Sequence, residues 1–409
     1  MRLVVVGASL AGLRAVQTAR KIGYEGPLTM VGGEPHLPYD RPPLSKAYLD
    51  DAEPATTVFR TEDELRTELD VDLRLSTWAT SLDPERKVIG LSTGEELEYH
   101  AVVIATGAAA RTLPGTDHLA GVHCLRTLDD AVAIRAALDA GARTVVVGAG
   151  FIGSEVASGA RKRGLPATIL EALPVPLVRS VGEEMGHACA ELHRANGTDL
   201  RCGVKVSELT SRDGTVTGVV LADGETIPAD LVVVGVGVSP CTEWLKGSGV
   251  TLHERDGGIV CDETLATGIP GVYAAGDVAH FPNTLFDGEL MRLEHWTNAA
   301  EQGSLAVKNA LNPAEAQPPA AVPYFWSDWY GHRIQFVGIP KADEIRVVSQ
   351  ELGEEKFLAL YRRGDRITGC ISIDRPAQIM KFRRLIMQQM SWPDALDFAG
   401  VSARPVHPE

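Results

Sequence analysis

The sequence predicts an α/β protein with two parallel-sheet domains followed by a smaller α+β domain. Three observations carry this. A strand–glycine turn–helix unit opens the chain, a second copy begins near residue 144, and the pattern changes beyond a proline-rich stretch at 313–323. Two strand–turn–helix–strand units in one chain imply parallel sheets, because parallel neighbours need a crossover connection, usually a helix.

The first unit starts with the apolar run Leu3–Val6, turns through Gly7-Ala8-Ser9-Leu10-Ala11-Gly12, and continues as an amphipathic helix through Leu13, Val16 and Ala19. The second repeats the strand at Thr144–Val147 and the turn at Gly148-Ala149-Gly150-Phe151-Ile152-Gly153. A helix over 155–163 and a strand over 168–170 complete it. Further apolar strands at 102–105, 231–236 and 272–274 end in Thr106-Gly107, Gly235-Val236-Gly237 and Gly276-Asp277. In doubly wound sheets, ligands sit where the carboxyl ends of strands open into such loops. Beyond the prolines, strands are expected at 333–337, 345–348, 357–361 and 367–373, with one helix near 379–390. The expected domains are 1–109 with 243–318, then 110–242, then 319–409.

A dinucleotide pyrophosphate needs close backbone approach, free N–H groups and the positive end of a helix dipole, all supplied by a glycine turn that opens a helix. Both turns are so placed, which makes the two parallel-sheet units Rossmann-like dinucleotide-binding domains. The second turn is complete, with Gly148, Gly150 and Gly153. Glu171 follows Gly153 by 18 positions and can accept hydrogen bonds from an adenosine ribose. A carboxylate there repels a 2′-phosphate, neither Ala172 nor Leu173 offers a cation, and Arg179 is too far along; NADH is therefore expected over NADPH. The first turn departs from the pattern, since Ser9 replaces the middle glycine. Glu34, 22 positions beyond Gly12, is its ribose candidate.

Bulk properties exclude several classes. Net charge is −15, which argues against nucleic acid. No apolar run approaches the ~20 residues of a membrane span, and a strand-like run directly after Met1 leaves no room for a signal peptide, so a cytoplasmic protein is expected. Six cysteines lie scattered without CxxC or metal-like spacing, so neither an iron–sulfur cluster, a structural zinc nor a disulfide relay is expected. Residues 319–409 hold 12 Lys/Arg against 11 Asp/Glu, leaving an almost neutral tail on an acidic body.

After Glu34 comes Leu37-Pro38-Tyr39-Asp40-Arg41-Pro42-Pro43-Leu44-Ser45-Lys46. With the two glycine turns, this segment resembles the FAD/NADH-dependent ferredoxin reductases that serve bacterial haem monooxygenases and ring-hydroxylating dioxygenases. The likeness extends over essentially the whole chain, tail included. It implies FAD on the first cradle, NADH on the second and a ferredoxin as electron acceptor.

The resemblance also assigns residues. Arg41 and Lys46 would lie along the FAD, with Lys46 near the flavin ring and paired with Glu155; these two are the catalytic candidates. A fixed cation there stabilises an electron-rich ring, and a carboxylate partner lowers the solvation cost of burying it. Ala11 would offer its backbone N–H to the pyrophosphate, Ala79 its main chain to the adenine. Arg126 would contact FAD, Asp277 would bond the ribityl chain, and Glu294-His295-Trp296 would flank the pyrimidine edge. The chain departs from the pattern at Gly33, where relatives place an acidic ribose contact, and at 237–241, which lacks the usual flanking arginine and asparagine. It has Ser45 where peroxide-reducing cousins keep a redox cysteine.

On this reading hydride passes from NADH to the flavin without a general acid or base, and an external one-electron carrier, a [2Fe–2S] ferredoxin, takes the electrons. Arg362, Arg363, Arg366, Lys381, Arg383 and Arg384 are the basic candidates for meeting an acidic ferredoxin. Trp326 and Trp329 are either flavin neighbours or core. Two other readings stay open: a reductase or oxidase of a small molecule such as a quinone or oxygen, and a regulatory flavoprotein resembling apoptosis-inducing factor.

Overall fold

The computed structural model describes residues 1–50, 56–349 and 356–401. They form two compact units. One comprises residues 1–40, 56–109 and 238–321; the other comprises 41–50, 110–237 and the tail from 322.

In the first unit five parallel strands lie in the order Val272–Ala274, Ala101–Ile104, Leu3–Val6, Leu28–Val31, Val71–Arg74. Leu3–Val6 is buried throughout, as expected of a central strand covered on both faces. The helices Leu10–Lys21 and Trp296–Leu311 pack against each other beside this sheet. A three-stranded antiparallel sheet (Ala79–Asp83, Val88–Leu91, Glu96–Glu98) adds Leu82, Ile89, Leu91 and Leu97 to the core under the opposite face.

The second unit repeats the plan. Its parallel strands run Asp199–Cys202, Ala167–Glu171, Thr144–Val147, Leu231–Val234, Val122–Cys124. The helix Phe151–Lys162 follows the glycine turn, four residues ahead of the expected 155. Residues 41–50, expected in the first domain, pack in this unit: Arg163 Nε donates to the Leu49 carbonyl at 2.9 Å, and Lys162 pairs with Asp50 at 3.2 Å.

The tail forms a five-stranded antiparallel sheet in the order Tyr324–Trp329, His332–Gly338, Arg366–Ile373, Leu358–Arg363, Glu344–Ser349. The Tyr324–Trp329 strand and a last helix, Trp392–Phe398, were not expected from the sequence. The helix Pro376–Met387 ends before the expected 390 because Gln389 turns the chain at φ 52°. One sheet face buries Phe325, Trp329, Ile334, Phe336 and Tyr361 with Val181, Met185 and Cys189 of the preceding helices, so the tail shares a core with the second unit. Trp329 is therefore core, with no exposed surface, while Trp326 stays half-buried. All six cysteines are free. Among the described residues no helix is long and apolar enough to cross a membrane.

Candidate active site

The first cradle lies at the end of the Leu3–Val6 strand. Gly7 adopts φ +125°, and a Cβ there would fall 2.1 Å from the Ala105 carbonyl oxygen. A Cβ on Gly12 would sit 1.8 Å from the Gly7 carbonyl oxygen. Gly7 is thus fixed by the neighbouring 105–106 backbone and Gly12 by packing of the turn on itself. Ser9 is the N-cap residue, extended at φ −115°, so an L side chain fits the position that usually carries the middle glycine. Ala11 is wedged where Gly276 and Gly303 come close, since a Cβ on Gly303 would meet its carbonyl oxygen at 2.1 Å. Leu10 and Ala11 are both buried at the start of the helix.

Around this turn the unit gathers most of the residues expected there. Thr106 Oγ1 donates to the Cys241 carbonyl at 2.9 Å, next to Gly107 at φ +66°. The Gly276 N–H donates to Gln302 Oε1 at 2.8 Å, and the Asp277 carbonyl accepts from Arg292 at 2.9 Å. Glu294 pairs with Arg292 at 2.7 Å, and Trp296 Nε1 donates to Asp40 Oδ1 at 2.7 Å. Burial pushes the His295 imidazole down to about 4, so it is neutral near pH 7. Glu34 accepts from the Tyr39 hydroxyl at 2.5 Å. At Gly33 a Cβ would stand 2.5 Å from the Trp78 ring, an exposed side chain that covers this position. Ala79 begins the next strand.

The second cradle is held in the same way, by a neighbouring loop and by its own backbone. A Cβ on Gly148 would lie 2.4 Å from the Gly235 carbonyl oxygen, and one on Gly153 would lie 2.4 Å from that of Gly148. Gly150 differs. A Cβ there would meet only the Gly235 oxygen, at 3.9 Å, so protein packing leaves its side-chain position open. The Glu171 carboxylate closes the turn, accepting from Ala149 N at 2.7 Å and Leu173 N at 2.8 Å. Phe151 packs on Phe325 at 4.5 Å between ring centroids, with Ile152 beside it in the first helical turn. Gly237, at φ +101°, has open space at its Cβ position.

In that unit Lys46 Nζ lies 2.8 Å from Glu155 Oε1, with side chains 17% and 2% exposed. The Ser45 and Ser327 hydroxyls also donate to Glu155, one to each oxygen. Trp329 Nε1 donates to Ser327 Oγ at 2.7 Å. Such extra donors are what a buried ion pair requires, because Coulomb attraction alone rarely offsets desolvation of both charges. Arg41 Nη1 donates to the Arg126 carbonyl at 2.6 Å, just ahead of a capping box in which Thr127 and Asp130 start the helix Leu128–Asp139.

Of the six expected basic docking residues, Lys381 and Arg384 are exposed, flanked on the same helix by exposed Met380 and Met387. Arg362 is held by Glu344 at 3.0 Å, and Arg363, Arg366 and Arg383 are only partly exposed.

The family profile described as pyridine nucleotide-disulphide oxidoreductase matches residues 1–303, and that described as reductase C-terminal matches 324–399. The chain belongs to the pyridine nucleotide-disulphide oxidoreductase family. Membership implies FAD and NAD(H) as cofactors. Two relatives from Pseudomonas putida are similar along nearly their whole length. The ferredoxin–NAD(+) reductase component of a p-cumate 2,3-dioxygenase system is 35% identical, over 95% of this chain and 94% of that protein. Putidaredoxin reductase is 33% identical, over 95% and 92%. The crystal structure of the covalent putidaredoxin reductase–putidaredoxin complex aligns with TM-score 0.90 at 33% identity, covering 97% of this chain and 95% of that one.

The residues fit these cofactors. The second cradle stays open where a Cβ of Gly150 would stand, and buried Asn298 Oδ1 and Gln302 Nε2 lack a hydrogen-bond partner in the first unit. Sequence reasoning missed Asn298 and Gln302; their signal was polar residues four apart on the buried face of a helix. It also missed Ser327, a polar residue at an inward position of an alternating strand.

Proposed function

We propose that this chain is a cytoplasmic NADH-dependent reductase that passes electrons through FAD to a [2Fe–2S] ferredoxin serving a haem monooxygenase or ring-hydroxylating dioxygenase. The observation that carries the reading is the Lys46–Glu155 pair. A cation and carboxylate are held in low-dielectric surroundings by three further polar side chains, in the segment through which the chain resembles such reductases. Bound flavin supplies the chemistry of accepting a hydride and releasing electrons singly.

The protein's own residues bind and orient. The turns at 7–12 and 148–153 hold the two pyrophosphates on helix N-termini. Glu34 and Glu171 accept from the adenosine riboses, and Glu171 favours NADH by repelling a 2′-phosphate. Asp277, Asn298 and Gln302 supply polar contacts to FAD, joined by Arg41, Arg126, Ala79 and Trp296. Lys46 holds positive charge beside the ring, and Glu155 fixes its position. Lys381 and Arg384 meet the acidic ferredoxin, with Met380 and Met387 as the apolar part of that face.

The test is turnover of the purified yellow protein with NADH and cytochrome c, with and without candidate ferredoxins. Strong stimulation by a ferredoxin is expected. Equal turnover with oxygen or a quinone alone would replace this reading with that of a small-molecule reductase.

A further inference from the structure

Away from both cradles, the first unit brings together His253, Asp256 and His280, whose ligand atoms lie within 4.8 Å of one another. Among the described residues no other three His, Cys, Asp or Glu side chains are so grouped. The cluster is built by backbone. Residues 253–258 form a tight loop in which His253 N donates to the Gly258 carbonyl at 2.7 Å and Gly257 N to the His253 carbonyl at 2.8 Å, putting His253 and Asp256 on one side. The strand pairing Ile259↔Ala279 then carries His280 alongside.

The distances suit ligands of one ion. Asp256 Oδ1 lies 2.9 Å from His280 Nε2 and 3.2 Å from His253 Nδ1. Two ligands of a tetrahedral zinc at ordinary bond lengths are about 3.3 Å apart. His253 Nδ1 is buried and has no hydrogen-bond partner, although it faces that oxygen. The imidazoles stack at 4.2 Å with planes 19° apart, so the partly exposed His253 ring would turn out of the stack to aim its Nδ1 lone pair at an ion shared with His280. The Asp256 carboxylate is held from both sides, with Arg292 Nε on Oδ2 at 2.8 Å and Gly258 N on Oδ1 at 3.1 Å, while His280 Nε2 reaches both oxygens, Oδ2 at 3.1 Å. Arg292 is itself paired with Glu294, so two carboxylates outweigh its charge.

We infer that His253 Nδ1, Asp256 Oδ1 and His280 Nε2 form a binding site for a divalent transition-metal ion of the zinc class. The ion would take the place of the Nε2 proton that His280 shares with Asp256, and the neutral ring would carry that proton on Nδ1 instead.

The test titrates zinc into the chelator-treated holoenzyme, following heat and bound metal after dialysis. One equivalent per chain is expected. His253→Ala, at a partly exposed loop position, should weaken binding at least ~100-fold with the far-ultraviolet spectrum and flavin content unchanged. Asp256→Asn should also abolish uptake. Absence of a bound equivalent in the unaltered protein overturns the inference, and so does uptake unchanged in His253→Ala, which would place the zinc elsewhere.

Discussion

The Glu155 carboxylate, 2% exposed, stands 2.8 Å from the Lys46 ammonium and accepts the Ser45 and Ser327 hydroxyls besides. Glu155 belongs to the helix that opens at the second glycine turn. Lys46 follows the Pro-Pro-Leu-Ser segment, and Ser327 comes from the tail sheet, where Trp329 fixes it. Removing one charge leaves the other buried. Glu155→Ala should destabilise the protein by about 3 kcal/mol, the lower end of the range for breaking a buried pair, because Lys46 keeps some access to water. Chemical denaturation measures this, and Glu155→Leu combined with Lys46→Met should recover most of the loss. Equal destabilisation in the double variant would mean the pair is not a unit.

The last two glycines of the second cradle should behave differently. At Gly150 an added methyl has room, so Gly150→Ala should leave the melting temperature nearly unchanged while raising KM for NADH roughly tenfold by blocking close pyrophosphate approach. At Gly153 the methyl collides with backbone, so Gly153→Ala should lose stability itself, by about 1–3 kcal/mol. Steady-state kinetics beside thermal melts separates the two.

Glu171→Ala should erase most of the preference for NADH over NADPH, seen as the ratio of kcat/KM values. The substitution also leaves the Ala149 and Leu173 N–H groups without their acceptor, so a loss of about 1 kcal/mol in stability should accompany it. An unchanged ratio with that stability loss would make Glu171 a brace of the turn only.

Charge reversal at Lys381 and Arg384 should lower the ferredoxin-dependent rate severalfold and flatten its dependence on ionic strength. NADH oxidation by a small artificial acceptor should be unaffected. Comparing the two assays across a salt series decides the matter.

Acid should destabilise the second unit through His193. Its imidazole is fully buried, stacked on Trp329 and bonded to the Tyr330 hydroxyl and Ser154, and burial pushes its pKa down to about 3. The unfolded chain takes up a proton near pH 6.5 and the folded chain does not. Stability therefore falls as pH drops below 6.5, approaching about 1.4 kcal/mol per pH unit from this group. His193→Gln should flatten that slope in denaturation curves at pH 6.5 and 5; an identical slope would remove His193 as the cause.

The sequence by itself determined the two parallel-sheet units and their cradles, because strand burial and glycine turns are local. Thr144–Val147 must be covered on both faces, and Gly148 must take a positive φ, whatever lies elsewhere. It also made Lys46 and Glu155 a pair, though only through resemblance, since 109 positions separate them. Tertiary structure alone decided what surrounds that pair. Ser327 reads as an ordinary strand serine until the Tyr324–Trp329 strand places it against Glu155. His253, Asp256 and His280 carry no recognisable spacing, and strand pairing brings them together. Long-range contacts of this kind depend on packing between segments, which no local pattern of residues encodes.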